Sequence, residues 1–299
     1  MNYICTVCGG VGSELHSILR TNQNTEYLNC RKCRCIFSKI RASEEELALY
    51  YDSYYSSENL KIPEHIRERI SKMVSTFSKF RTTENKLCDL GYGAGALLEI
   101  AEMDGWNCSG SEYSPEAIEI GKIRGWDVHQ GELGRDDLPG PFDVITIIET
   151  LEHVQNPNDL ISKASTRVRS GGLIYGTTPN AKSLNSLLLG TKWSVFSFPE
   201  HPILMSKKSI MILLEANGFT NIRIHSQGLN PHDFFIEIKR LIGKESHLNQ
   251  NETSRVQYGY DLVQLFSANI FLAMFKKTVN YVLSLVGVGD TLVFRGVKK

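Results

Sequence analysis

From about residue 84 the chain alternates short apolar runs with amphipathic stretches. Lys86-Leu87-Cys88-Asp89-Leu90 reads as a buried strand, Ala96 to about Asp104 as a helix, and Asn107 to Ser111 as a second strand that ends at Glu112. Ser114-Pro115-Glu116 opens the next helix, with serine at the cap and proline at the first helical position, where a missing N–H costs nothing. Phe142 to Ile148 and Leu173 to Thr177 are further apolar strands, and the helix Lys207 to Asn217 is closed by Gly218. Ile222 to His225 and Thr291 to Gly296 read as late strands. Strands alternating with helices predict an α/β fold built on a parallel sheet.

Three segments fall outside this alternation. Residues 1–40 hold short strand-like pieces among cysteines, and residues 41–83 form a polar, helical, Tyr-rich connector containing Tyr50, Tyr51, Tyr54 and Tyr55. Residues 228–289 read as an insertion in which Leu262, Leu265, Phe266, Ile270, Leu272, Phe275, Val279, Val282 and Leu285 recur at helical spacing. This stripe predicts either a helical cap packed on the domain or an apolar surface for a lipid-linked substrate, a membrane face or a second copy of the chain.

The chain has 299 residues, which suggests about two domains. Lys+Arg 33 balances Asp+Glu 33, so no global positive field draws the chain onto nucleic acid, although residues 1–40 carry five Lys/Arg against two Asp/Glu. The N-terminus MNYICTVCGG has neither a basic nor an apolar leader region, and the run from Leu262 to Phe275 is too short to span a bilayer. With an odd cysteine count, these features predict a cytoplasmic protein, with peripheral contact at the inner face of a membrane as one reading of the insertion.

Cys5-Thr-Val-Cys8 and Cys30-Arg-Lys-Cys33 are two CxxC pairs, each able to wrap one side of a tetrahedral metal. Cys5, Cys8, Cys30 and Cys33 predict a zinc ribbon with a closed, structural site, against a redox or disulfide reading of the same pairs. Cys35 reads as a core thiol.

Gly91-Tyr92-Gly93-Ala94-Gly95 turns from the first strand into its helix. At the carboxyl end of a parallel strand such a turn lets a ligand approach the backbone, and Glu112, at the end of the next strand, can accept two ribose hydroxyls. Together with FDVITIIETLEHV and RSGGLIYGTTPN, the run CDLGYGAG resembles the class I S-adenosylmethionine-dependent methyltransferases over Lys86 to about Phe219. The resemblance implies a Rossmann-like seven-stranded sheet, here with an N-terminal zinc ribbon and a helical insertion before the last strand. It implies that Asp89, Gly91, Gly93 and Gly95 cradle the methionine part of S-adenosylmethionine and that Glu112 holds the ribose. It also implies that Glu132 and Leu133 lie over the adenine, with Tyr113 and Ile148 completing the cofactor site.

Glu149, Glu152 and His153 follow the fourth strand at i, i+3, i+4 and share one face if the segment is helical. The same ExxEH run occurs in ubiquinone-biosynthesis O-methyltransferases, where the resemblance implies a magnesium-type ion; a metal-free general base and a loop-ordering role are the other readings. Beyond the fifth strand, Pro179 to Met205 is a long aromatic segment with Trp193, Phe196, Phe198, Glu200 and His201. It is expected to line or lid the acceptor site, its aromatic faces stacking on sugars or covering apolar acceptors, with His201 a second base candidate or a structural histidine.

The plan looks like bacterial methyltransferases of sugars and surface polysaccharides. Their C-methylating relatives carry a further C-terminal domain, so an oxygen acceptor is expected: a sugar hydroxyl in a glycan, nucleotide-linked or lipid-linked intermediate. An O-methyltransferase of quinones or small phenols, and a ribosomal or transfer RNA methyltransferase reading RNA through the ribbon, are the alternatives. A cofactor-binding regulator is the non-enzymatic reading. The expected partners are a small-molecule or glycan acceptor and a second copy of the chain, rather than nucleic acid.

Overall fold

The computed structural model describes residues 4–10, 12–13, 25–43, 46–47, 63–131, 140–230 and 270–299. Tyr50, Tyr51, Tyr54, Tyr55, Glu132, Leu133, Leu262, Leu265 and Phe266 lie outside these residues.

The main sheet contains β4 (Lys86–Leu90), β5 (Asn107–Glu112), β6 (Asp127–Gln130), β7 (Phe142–Ile148), β8 (Val168–Pro179), β10 (Phe219–Gln227) and β11 (Thr291–Lys298), in the order β10-β11-β8-β7-β4-β5-β6. The five strands from β8 to β6 are parallel; β11 runs antiparallel to both β8 and β10. This is a seven-stranded mixed α/β sheet. The chain leaves β4 outward through β5 and β6, then returns to place β7 on the other side of β4. Strand order therefore reverses between β4 and β7, and a crevice opens at the carboxyl ends there.

Each flanking helix follows from local chemistry. Ser114 caps the helix Pro115–Arg124 by accepting from the Ala117 amide, and Gly125 ends it in the left-handed region. Asn156 caps Pro157–Arg167, and Ser206 with Ser209 forms a reciprocal capping box on Lys207–Ala216. Ala96–Met103 buries Leu97, Leu98 and Ile100 among Trp106, Ile118 and Trp126 on one face of the sheet.

A second sheet contains β1 (Gly12–Ser13), β2 (Tyr27–Cys30), β3 (Ile36–Ser38) and β9 (Ile203–Leu204). Its last strand comes from the segment after β8, not from the first forty residues. One buried cluster runs through Cys5, Leu28, Cys33, Cys35 and Phe37 to Met205, Ile210, Ile145 and Phe294, so the two sheets share a core.

The helix Glu64–Ser75 lies in the expected connector and packs on Ala96–Met103, with Arg67 bonded to Glu99 at 2.9 Å. The insertion is helical over Ile270–Val286. Two residues of its expected stripe, Val282 and Leu285, are exposed, as are Tyr281 and Val286. That end of the helix does not press the stripe onto the domain.

Candidate active site

A cavity of about 1280 Å³ opens at the strand-order reversal. Its floor is the carboxyl ends of β4, β5 and β7: Asp89, Gly91, Gly93, Glu112, Ile148 and Glu149. Leu47 of the connector and Ile70 and Met73 of Glu64–Ser75 form an apolar wall opposite, and the Gln155 amide fixes the connector by donating to the Ala42 carbonyl at 2.7 Å.

Asp89 is fully buried and accepts from the Thr146 hydroxyl at 2.7 Å. Burial pushes its carboxyl up to about 7, against that hydrogen bond, and the nearby Glu112 charge adds to the rise. Glu112 accepts from the Gly93 amide at 2.8 Å through one oxygen and from the Tyr113 amide at 2.7 Å through the other. Each oxygen keeps acceptor capacity for a further hydroxyl. The glycines carry more than ligand access. Gly91 and Gly95 sit at φ +77° and +78°, and a Cβ would come within 2.6 Å of Thr150 Oγ1 in the first and 2.7 Å of the Trp126 ring in the second. Internal packing alone therefore requires glycine at both positions.

The segment after β7 is not helical. Glu149 has φ +49°, and residues 151–153 form a turn. The left-handed kink is strained for a glutamate and aims its side chain into the cavity. Although Glu149 is open to the cavity, the dense walls around it push its carboxyl above the ordinary range, against hydrogen bonds with Thr177 and Glu152. Glu152 is buried behind it, accepts from the Thr178 hydroxyl at 2.9 Å, and is held well above the carboxylate range by burial and by the charge of Glu149. His153 lines the cavity. Burial, and the charge of nearby His201, depress its imidazole to about 4 despite a hydrogen bond with the Glu200 backbone.

His201 joins this group from the loop beyond β8. Its ring centroid lies 4.7 Å from that of His153, and a ligand atom from each of Glu152, His153 and His201 falls within 4.8 Å of the others. Its Nδ1 lies 2.7 Å from the Val195 carbonyl, a pure acceptor, so the proton sits on Nδ1 and Nε2 is free to accept a proton or hold a metal. Glu200 Oε1 lies 3.9 Å from that Nε2.

A family profile described as "Methyltransferase domain" matches residues 62–224, more than half of the chain. The chain belongs to the methyltransferase-domain family. Among curated relatives, a ubiquinone biosynthesis O-methyltransferase of Colwellia psychrerythraea is 30% identical over 183 residues, covering 58% of this methyltransferase chain and 64% of its own. One of Idiomarina loihiensis is 25% identical over 171 residues, covering 50% and 68%. The chain thus spans less than two thirds of the Colwellia relative. Of solved structures, an S-adenosylmethionine-dependent methyltransferase of Archaeoglobus fulgidus shares the fold at a TM-score of 0.50 with 15% identity, covering 78% of this chain and 94% of that one.

The methyltransferase fold brings Asp89, Gly91, Gly93, Glu112, Tyr113, Ile148, Glu149 and His153 to one cavity. Glu152 and His201 stand behind its wall. The expected helical face of Glu149, Glu152 and His153 is corrected: the kink at Glu149 separates it from the trio with metal-ligand spacing, and His201 takes the third place. A second correction concerns the aromatic segment. Trp193 and Phe196 are buried against Tyr27, Ile36 and Leu204, so they form the joint with the small sheet and are not part of the cavity lining. Ile70 and Met73 are not legible as site residues from the sequence, because the amphipathic pattern of their helix does not say which cavity its apolar face covers.

In the small sheet, ligand atoms of Cys5, Cys8, Cys30 and Cys33 all lie within 4.8 Å of one another, with Cys5–Cys33 at 3.7 Å and Cys8–Cys30 at 3.5 Å. Thiolates at ~2.3 Å from a tetrahedral zinc lie ~3.8 Å apart, so the donor set and spacing fit that ion. Cys35 is buried beside them, its sulfur 3.3 Å from that of Cys5.

Proposed function

We propose that this protein transfers a methyl group from S-adenosylmethionine to a hydroxyl of a small-molecule acceptor with an apolar or aromatic body. The observation that carries the reading is that one cavity unites the Asp89–Gly93–Glu112 cradle with Glu149, His153 and an apolar wall of Leu47, Ile70 and Met73. At about 1280 Å³ it has room for a nucleoside cofactor and a second molecule. When bound, S-adenosylmethionine supplies a sulfonium whose methyl carbon an oxygen nucleophile attacks. Asp89 and Glu112 orient the cofactor, and the connector wall excludes water. Glu149, with its raised carboxyl facing the cavity, takes the hydroxyl proton. Burial keeps Glu152 protonated, so it donates to the Glu149 carboxylate and favours the ionised form of the base. His153 stays neutral and orients the acceptor oxygen. Most of the acceleration comes from alignment, since the sulfonium already activates the methyl group.

The curated relatives named as ubiquinone biosynthesis O-methyltransferases support a phenolic or quinone-like acceptor over the sugar hydroxyl expected at first. The apolar wall supports the same choice. A second reading rests on the Glu152, His153 and His201 cluster. Two imidazoles and one carboxylate suit a divalent transition ion better than magnesium, which favours an all-oxygen shell. For the four cysteines we propose a structural zinc, whose closed shell leaves no position for chemistry. Among the described residues, no helix is long and apolar enough to cross a membrane.

The test is transfer of labelled methyl from S-adenosylmethionine to a panel of catechols and nucleotide sugars. Labelled catechol ether is the expected product. Label in the sugars alone overturns the phenolic reading, and no transfer after Glu149→Gln with the cofactor still bound supports the assigned base.

A further inference from the structure

The loop that carries His201 is not held by the methyltransferase sheet alone. Ile36 and Phe37 pair antiparallel with Leu204 and Ile203. The Ser38 amide donates to the Pro202 carbonyl at 2.8 Å, and the Ser206 hydroxyl donates to the Cys33 carbonyl at 2.6 Å. Closest to the site, the fully buried Tyr27 donates its hydroxyl to the carbonyl of His201 itself at 3.1 Å. The Tyr27 ring packs edge-on to Phe196 at 5.1 Å, and Phe196 packs on Trp193. His201 is thus clamped from the small sheet through its own and the next carbonyl, and from its own loop through Val195 and Ser197.

An imidazole on a long loop that packs on a cavity-lining residue needs such support, because a displacement of about 1 Å passed on to the site costs up to ~100-fold in rate. Tyr27 does not line the cavity, so it touches neither cofactor nor acceptor there. It shares a four-residue strand with Cys30, one of the four clustered thiols. We infer that the cysteine-bearing sheet is a positioning element of the active site: Tyr27 sets His201 against His153 and Glu152, and a zinc held by Cys5, Cys8, Cys30 and Cys33 keeps the Tyr27 strand in place. The inference rests on the proposed role of His153, against which His201 packs, and deepens it. It separates this sheet from an independent substrate-binding module, which would need no bond to an active-site loop.

The test is the imidazole nitrogen spectrum of the full chain, zinc-loaded and labelled with ¹⁵N-histidine, because that signal does not depend on knowing the acceptor. Wild type is expected to show His201 as a single Nδ1–H tautomer. Tyr27→Phe keeps the ring packing and removes one hydroxyl. It is expected to move the His201 signals, to leave those of His129 and His225 in place, and to leave zinc content and S-adenosylhomocysteine affinity within about 2-fold. Withdrawing zinc with a chelator is expected to produce the same His201 shift. On an acceptor that is turned over, Tyr27→Phe lowers kcat roughly 10-fold and adds nothing on a His201→Ala background. Unchanged His201 signals in both Tyr27→Phe and the zinc-depleted protein overturn the inference. A moved His201 signal in a protein that methylates no hydroxyl overturns only the proposed function.

Discussion

His153 and His201 meet edge to face with ring centroids 4.7 Å apart, one from the turn after β7 and the other from the loop beyond β8. The Val195 carbonyl fixes the tautomer of His201, so its free Nε2 belongs to the cluster with Glu152 and His153. Replacing it by alanine removes that nitrogen and leaves Asp89, Gly93 and Glu112, the proposed cofactor cradle, untouched. His201 packs on His153, which lines the cavity, so we expect His201→Ala to misplace that imidazole and lower methyl transfer by up to ~10²-fold. Cofactor affinity, measured by calorimetry, should stay within about 2-fold.

Glu149 predicts a pH dependence. A carboxylate base works in its ionised form, and its raised folded-state pKa means that this form is lost as pH falls through a point above the ordinary value of ~4.3. The acid limb of kcat/KM should therefore lie above the carboxylate range. It should vanish with Glu149→Gln, which should cost ~10²–10⁴-fold. A neutral His153, depressed to about 4, contributes no limb between pH 5 and 8. A limb that persists in Glu149→Gln would trace to another group, the buried Asp89 at about 7 among them.

Asp89 should trade stability for binding. Its folded pKa of about 7 exceeds its unfolded value, so the folded state holds the extra proton between pH 4 and 7 and stability falls as pH rises through that window. At ~1.4 kcal/mol per unit the loss is a few kcal/mol by pH 8. Asp89→Asn removes the ionisation and keeps an acceptor for Thr146. Its melting temperature should exceed that of wild type at pH 8, converge with it near pH 4, and come with weaker S-adenosylmethionine binding in titration calorimetry.

At the opposite end of the sheet, Arg169 Nε donates to the buried Asp143 at 2.6 Å, and Thr82 and the Lys86 amide add two more bonds. Burial works against the Asp143 charge, but these partners outweigh it and hold the carboxyl below its ordinary value. Their stabilisation is present above that ordinary value and fades as pH falls below it. Arg169→Ala strands a buried charge, so a loss of ~3–5 kcal/mol is expected in urea unfolding at pH 7. Because this pair is not part of the cavity lining, kcat of the folded fraction should be unchanged.

Much of the fold was legible because its causes are local. Ser114-Pro115 and Gly125 mark a helix from start to stop, and Phe142 to Ile148 can only be buried on both faces. The Asp89, Gly91, Gly93 and Glu112 pattern was legible because residues at the ends of adjacent parallel strands share one crevice. Helical spacing misread Glu149, Glu152 and His153, since a hydrogen bond from the Glu149 amide to the Thr177 carbonyl extends the sheet pairing and a positive φ follows in place of a helical turn. Trp193 and Phe196 were misread as acceptor walls, because composition gives a residue's chemistry and not the surface it meets.

Spacing within a few residues or between neighbouring strands encodes the alternating α/β plan, the crevice of Asp89, Gly93 and Glu112, and the four convergent thiols. That Tyr27, Glu152, His153 and His201 belong to one assembly emerges from the folded chain alone. Those residues lie on three separate segments, and what brings them together is a core shared by two sheets, whose pairing between Ile36–Phe37 and Ile203–Leu204 no local periodicity encodes.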